Sequence, residues 1–200
     1  MNKLPTFFNY EEEETDNGYE TTQDFILSWT LRCALDKYKQ VNPLINGYSK
    51  KALFFLLYGE NTETLKEYLI SKEYEDNFQV TFIKTYRQKH QIDLLIEVEV
   101  IEHSKAQKYI LNIENKWYTK ISKTQLAKSK EFIESEYSSN VYIKRHLVIF
   151  FEPTFKDFDI QMCKENKYKI LTISNIDKYM DIDKLNATGN DIFDEYWIRF

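Results

Sequence analysis

The sequence of 200 residues carries a formal net charge of −5, with 42% hydrophobic, 30% charged and 16% aromatic residues. Only four glycines and three prolines occur, and this composition excludes a collagenous, linker-like or disordered chain. The apolar stretches fall far short of the roughly 20 residues that a membrane-spanning helix needs. Since no basic segment followed by an apolar one opens the chain, we expect a cytoplasmic protein without membrane contact.

The negative charge is concentrated at the start of the chain. Residues 1–20 hold six acidic residues and one basic residue, whereas the rest of the chain holds 26 of each sign. We therefore interpret residues 1–20 as an acidic, poorly ordered lead-in and residues 21–200 as a single domain. Ten bases and five acids lie between Lys84 and Lys130, so a nucleic-acid partner stays open despite the net charge.

Hydrophobic periodicity predicts helices in the first third of the chain. Thr21–Lys39 has apolar residues at helical spacing, with a threonine at position 21 or 22 as the N-cap. Leu53–Tyr58 and Leu65–Leu69 predict a second helix, or two helices that are separated near Gly59.

Strands and helices alternate in the rest of the chain. The predicted strands are 78–83, 92–101, 108–116, 146–151 and 168–173, and the predicted helices are 122–137 and 176–185. Apolar and polar residues alternate most regularly over 92–101, and a polar break at 102–107 precedes the next strand, which indicates an antiparallel hairpin. This order predicts a mixed α/β domain in which helices pack around a central sheet.

The two strands of this hairpin carry the strongest candidate site. Glu114 and Lys116 are two residues apart, so both side chains leave the same face of the sheet. Asp93 lies near the start of the partner strand, and closing the hairpin can bring that start beside the end of the second strand. Two carboxylates supply the oxygen ligands that Mg²⁺ prefers, and an adjacent lysine can orient or deprotonate an attacking water.

Three segments together resemble the PD-(D/E)XK nuclease superfamily. They are IDLLI at 92–96, IENK at 113–116 and QL at 125–126, and they are similar to the bacterial branch with an IENK…QL signature. The resemblance covers about residues 78–152. It implies a restriction-endonuclease-like fold, which is a mixed central β-sheet flanked by α-helices, and a nuclease-like domain over residues 21–200.

The resemblance also implies roles for single residues. Asp93, Glu114 and the backbone carbonyl of Asn115 would hold Mg²⁺, or Mn²⁺ in its place. Lys116 would position the attacking water, and Gln125 would support the site from the following helix. The implied activity is hydrolysis of nucleic-acid phosphodiester bonds by a metal-activated water, with DNA favoured over RNA. A homodimer stays open, because many members of the family act as dimers.

Two departures from the family pattern keep other functions open. Gln91 stands where many relatives have a basic residue, and the third acidic position falls in a region that offers only Glu20, Gln23 or Asp24. The alternative is therefore a catalytically inactive nuclease-fold module that binds nucleic acid or a protein partner. A purely structural α/β domain is the third reading.

Four residues are weaker candidates for contact with nucleic acid. Trp117 follows the catalytic-type lysine and could stack on a base, although packing inside the protein is its commoner role. Lys120, Lys123 and Lys128 could follow a phosphate backbone, or they could simply form the solvated face of a helix.

Overall fold

The computed structural model describes residue 4 and residues 11–12, 19–59, 77–117, 120–183 and 186–198. Six strands in these ranges form one sheet in the order β1 to β6. The strands are β1 Glu11–Glu12, β2 Phe78–Lys89, β3 Ile92–Glu102, β4 Lys105–Lys116, β5 Tyr142–Phe150 and β6 Lys169–Thr172. β2, β3 and β4 pair antiparallel, whereas β4, β5 and β6 pair parallel, and β1 adds a short parallel pairing to β2.

The helices flank both faces of this sheet. They are α1 Tyr19–Cys33, α2 Pro43–Tyr58, α3 Lys123–Glu136, α4 Asp157–Asn166, α5 Ile173–Met180 and α6 Asp191–Phe193, which runs directly into a π-helical segment at Asp194–Ile198. A single 3₁₀ turn lies at Asp36–Tyr38 between α1 and α2.

Alternation along the strands divides the core into two layers. Leu94, Leu111 and Ile149 point to the face that α1, α2, α5 and the C-terminal helices cover. Val148 points to the opposite face, where it packs with Leu126 of α3 and with residues of α4. The sheet is thus covered on both sides, which confirms the predicted α/β class with a mixed central sheet flanked by helices.

The first predicted helix is present in the structure, but both of its ends were predicted at the wrong residues. α1 begins at Tyr19, before the predicted threonine caps, and it ends at Cys33, six residues early. It ends there because Leu35 is extended, and the side-chain amide of Asn46 donates to the carbonyls of Cys33 (2.8 Å) and Leu35 (2.9 Å). These bonds satisfy carbonyls that the helix leaves open.

The second predicted helix begins ten residues too late. α2 starts at Pro43, and Asn42 caps it by accepting a hydrogen bond from the Ile45 backbone N–H at 3.1 Å. The pair Asn42-Pro43 is a standard helix-start signal that the prediction overlooked. The predicted continuation at Leu65–Leu69 lies outside the described residues, as does most of the predicted lead-in at 1–20.

Several later elements were predicted too short or not at all. β2 runs six residues beyond the predicted end and β5 begins four residues before the predicted start. α4 and the helical segments at the C-terminus were not predicted, and α5 occupies Ile173–Met180 instead of 176–185. Among the described residues, no helix is both long and apolar enough to cross a membrane.

Candidate active site

The β3–β4 hairpin brings the predicted acidic residues together. Leu94 is paired with Ile113, so Asp93 stands opposite Glu114 on the same face of the sheet, and Lys116 follows on that face. The side chains are buried, with residue exposures of 7% for Asp93, 2% for Glu114 and 5% for Lys116. Charged groups that are buried this close together need polar partners, and the neighbouring residues provide several.

Asp93 is held by its neighbours on both adjoining strands. The backbone N–H of Asn115 donates to its Oδ2 at 2.8 Å, and the side-chain amide of Gln88 donates to its Oδ1 at 3.3 Å. A carboxylate that accepts from the main chain of β4 is fixed with respect to that strand.

Glu114 lies between a cation, an amide and a second carboxylate. Its Oε1 is 2.5 Å from Lys116 Nζ, and its Oε2 accepts from Gln125 Nε2 at 2.8 Å. Burial, followed by the charge of Asp93 and a hydrogen bond with it, raises the pKa of Glu114 to about 8, although Lys116 acts in the opposite direction. Asp93 and Glu114 therefore influence each other's charge, as paired acidic groups do in many active sites.

Gln125 reaches this pair from the first turn of α3. Ser122 caps that helix by accepting from the Gln125 backbone N–H at 3.3 Å. The Gln125 side-chain amide also donates to the backbone carbonyl of Gln91 at 3.4 Å, so the turn between β2 and β3 helps to orient it. Behind it, Ser129 Oγ donates to the Gln125 carbonyl at 2.9 Å and contacts the Tyr168 hydroxyl at 2.8 Å.

Asn115 connects this site to α1 on the other face of the sheet. Its side-chain amide donates to Asp24 Oδ1 and its side-chain carbonyl accepts from Gln23 Nε2 at 2.9 Å. Asp24 Oδ2 lies 3.9 Å from Arg87 Nε of β2, and both side chains are 1% exposed. The sequence predicted neither Arg87 nor the role of Asp24 as its partner, since a polar stretch such as 84–89 resembles an exposed strand end.

The third acidic position has no clear occupant in this arrangement. Asp24 and Gln23 contact the side chain of Asn115, and the side chain of Glu20 lies outside the described residues. In the described ranges, no three side chains of histidine, cysteine, aspartate or glutamate form a cluster that could hold a metal ion. The predicted ligand set thus consists of Asp93, Glu114 and the backbone carbonyl of Asn115.

This donor set still suits a divalent cation. It offers two carboxylates and a carbonyl, all oxygen donors of the type that Mg²⁺ and Mn²⁺ take. Burial and then the charge of Asp93 disfavour the ionised form of Glu114, and a bound cation would offset both effects.

The candidate nucleic-acid contacts lie close to this site in the chain but differ in their surroundings. Trp117 is half-buried, and its ring stacks on Phe151 with centroids 3.6 Å apart and an interplanar angle of 11°. Lys120 and Lys128 are exposed. Lys123 is also exposed, but its ammonium group pairs with Glu165 of α4 at 3.2 Å.

The chain was compared with family models, curated proteins and solved structures. The model of the PD-(D/E)XK nuclease superfamily matches residues 6–187. The chain therefore belongs to the PD-(D/E)XK nuclease superfamily, whose members are usually nucleases. No curated protein and no solved structure matches it.

Proposed function

We propose that this chain is a divalent-metal-dependent nuclease that hydrolyses phosphodiester bonds of nucleic acid, with DNA favoured over RNA. The observation that supports the proposal best is the buried pair of Asp93 and Glu114 beside Lys116, at adjoining ends of two paired strands. Burying two neighbouring carboxylates costs stability in a purely structural domain, whereas a metal-binding site uses them.

Asp93, Glu114 and the carbonyl of Asn115 would hold Mg²⁺, with Mn²⁺ as a substitute. When bound, such an ion stabilises the charge that develops on a phosphoryl group and makes a nearby water more acidic. The protein contributes orientation: the Asn115 backbone N–H fixes Asp93, and the Gln125 amide fixes Glu114.

Lys116 would act on the attacking water. Its ammonium group carries three donors, of which one faces Glu114 Oε1. This group would orient the water and stabilise negative charge on the phosphate, in a site from which burial excludes most solvent.

The first experiment compares Lys116→Ala with the parent. We expect purified protein to cut plasmid or single-stranded DNA with Mg²⁺ or Mn²⁺, to stop with chelator, and to lose at least 100-fold in rate in the variant while still binding DNA (~10²–10⁴ for one positioned group). Lys105→Ala is the matched control, because Lys105 is exposed at the other end of the same strand. Equal cutting by Lys116→Ala and the parent contradicts the assigned mechanism, and RNA in place of DNA tests the preference.

A non-catalytic binding module is the second candidate function. One observation that favours it is that the Gln125 amide already donates a hydrogen bond to Glu114 Oε2, an oxygen that a metal ion would need. The other is the lack of a third acidic, histidine or cysteine ligand among the described residues. This candidate predicts retention of nucleic acid and no cutting with any divalent ion, a result that a gel assay across several metals would reveal.

A further inference from the structure

The main chain of Asn115 lies where the regular pairing of β3 with β4 has ended. The last registered pair of these strands is Leu94 with Ile113, two residues before Asn115. The Asn115 N–H bonds to the Asp93 side chain at 2.8 Å. On the side of β3, a side chain rather than the strand ladder therefore holds this peptide.

The Asn115 carbonyl faces the same side of β4 as its N–H. In an antiparallel ladder one residue exchanges both of its backbone hydrogen bonds with one partner, so its N–H and carbonyl point the same way. The next residue points to the other neighbour, and the Lys116 carbonyl does so by accepting from the Phe151 N–H at 2.8 Å, just beyond β5. The Asn115 carbonyl consequently faces the side of Asp93, as the proposed ligand set requires.

Two residues of α1 hold the side chain of Asn115 on the opposite face of the sheet. Its side-chain amide donates to Asp24 Oδ1, and its side-chain oxygen accepts from Gln23 Nε2 at 2.9 Å. All three residues are 0% exposed. Rotation of the Asn115 side chain, or of the peptides beside it, would leave buried polar groups without partners and is therefore unfavourable.

The helix that holds Asn115 is itself fixed to the rest of the domain. Ser28 Oγ donates to Thr85 Oγ1 of β2 at 2.9 Å, and Trp197 Nε1 donates to Thr30 Oγ1 at 3.0 Å. Leu31 of the same helix is buried in the main core. α1 can therefore act as a rigid support for the residue that it contacts.

Packing alone does not account for the amide of Gln23. Its Oε1 is buried and has no hydrogen-bond partner among the described residues, which destabilises the folded state. A methionine would fill a similar volume without an unpaired acceptor. The bond from Gln23 to Asn115 is thus a better explanation of the amide than the space that it occupies.

We propose that Gln23 and Asp24 are positioning residues of the candidate metal centre. They act through the Asn115 side chain and hold the main chain whose N–H fixes Asp93 and whose carbonyl would bind the ion. This inference rests on the proposed function, because it assumes that a divalent cation binds at Asp93 and Glu114.

The test measures Mn²⁺ binding by isothermal titration calorimetry in the absence of nucleic acid. Asn115→Ala removes both bonds to α1 and keeps the main chain, so we expect Mn²⁺ affinity to fall by about tenfold or more. Gln23→Met should cause a smaller loss, because the bond to Asp24 remains. Circular dichroism establishes that each variant is folded.

Ser28→Ala is the matched control. It removes another buried hydrogen bond between α1 and the sheet, but one that ends on β2 and does not reach Asn115. It should lower the free energy of unfolding and leave Mn²⁺ affinity unchanged. An equal loss of Mn²⁺ affinity in this control would show that any weakening of α1 disturbs the site, and the inference would fail.

A double variant tests whether Gln23 acts through Asn115. Once Asn115→Ala has removed the acceptor, adding Gln23→Met should not weaken Mn²⁺ binding further. Additive losses contradict the proposal. If Asn115→Ala does not fold, Gln23→Met decides alone, and parental Mn²⁺ affinity in that variant overturns the inference.

Failure of this inference differs from failure of the proposed function. A parent that binds Mn²⁺ and cuts DNA, with unchanged Mn²⁺ affinity in the folded variants of Gln23 and Asn115, removes only the positioning role of α1. A parent that binds no Mn²⁺ overturns both.

Discussion

Asp24 and Arg87 are a buried ion pair on the face of the sheet opposite Glu114. Both are about 1% exposed, and the Arg87 guanidinium also lies over the Phe25 ring, 4.0 Å from its centroid. A buried ion pair stabilises a protein little more than two apolar residues of similar size would. Removing one partner is nevertheless costly, because it leaves the other charge buried and uncompensated. The pair therefore ties α1 to β2 and, through Asn115, to the strand that carries Glu114.

Removal of one partner should be costly. For Asp24→Ala we expect a loss of about 3–5 kcal/mol in the free energy of unfolding, because Arg87 then stays buried without the carboxylate that it faces. Urea denaturation measures the loss. Glu131→Ala, an exposed acid on α3, should change stability by less than about 0.5 kcal/mol. A loss for Asp24→Ala no larger than that of the control would contradict this account.

His146 is a second residue whose environment sets its charge. The Asn112 amide lies 3.1 Å from its Nδ1, which assigns the proton to Nε2, 3.5 Å from Glu134. Burial, together with the charges of Lys130 and Lys144, lowers the pKa of His146 to about 4, although Glu134 acts in the opposite direction. The imidazole is thus neutral in the folded protein at pH 7.

Stability should accordingly decline in acid. Above pH 6.5 His146 is neutral in both states and has no effect. Between pH 6.5 and about 4 the unfolded chain binds a proton that the folded chain does not, so the free energy of unfolding falls as the pH falls. By pH 5 the decline due to this residue is about 2 kcal/mol. Chemical denaturation at pH 7 and pH 5 measures it, with His146→Gln as the non-titrating reference; equal declines in both proteins refute it.

At the scale of elements, the turn between β2 and β3 is strained. His90 and Gln91 connect the strands with φ angles of 52° and 64°, and Gln88 also has a positive φ of 51°. Such angles disfavour residues that carry a Cβ, and hairpins of this kind usually contain Asn or Gly. The strained turn adjoins the site, since Gln88 and the Gln91 carbonyl contact Asp93 and Gln125.

Gln91→Gly should stabilise the protein. Glycine removes the steric cost at φ 64°, and after its own entropic cost the gain is about 0.5–1 kcal/mol. Thermal unfolding measures it as a higher Tm. The same replacement at Gln79, an exposed residue inside β2, should lower the Tm instead. A lower Tm for Gln91→Gly would show that the turn carries no such strain.

Sequence periodicity predicted the elements whose two faces differ in polarity. The alternation over Ile92–Glu102 and the helix at Lys123–Glu136 were placed nearly to the residue. The predicted β2 was too short because Thr85 and Arg87 are polar and suggest an exposed strand end. Both are buried against α1, where Thr85 contacts Ser28 and Arg87 faces Asp24. Tertiary partners thus overrode the local pattern.

The candidate site was predictable because its spacing is local. Asp93, Glu114 and Lys116 share one hairpin, and strand alternation puts them on one face without any tertiary information. The contacts of Asn115 with Gln23 and Asp24 depend on how α1 packs on the sheet, about 90 residues away in sequence. Spacing carries no information about such contacts.

At the scale of the whole molecule, the charge is unevenly distributed. The net charge of −5 comes entirely from residues 1–20, and exposed lysines such as Lys120 and Lys128 follow the candidate site in the chain. A phosphate backbone attracted to these lysines would release counterions on binding, which makes affinity depend on salt.

The salt dependence distinguishes these lysines. Lys128→Ala should reduce the slope of log K against log salt by about one for DNA binding in chelator. Lys123→Ala should have a smaller effect, because its ammonium group is already paired with Glu165. Anisotropy titrations at several salt concentrations measure both slopes. An unchanged slope for Lys128→Ala would show that α3 is an ordinary solvated helix.

The placement of Asn115 limits how this site could be transplanted by protein engineering. Its backbone N–H donates to Asp93 on one side of the sheet, and its side chain forms hydrogen bonds with Gln23 and Asp24 on the other. A grafted β3–β4 hairpin would transfer the two acidic residues and the lysine to a new scaffold. It would lose the hydrogen bonds from α1 that hold Asn115 in place. Any functional transplant has to include the first helix and Arg87 as well.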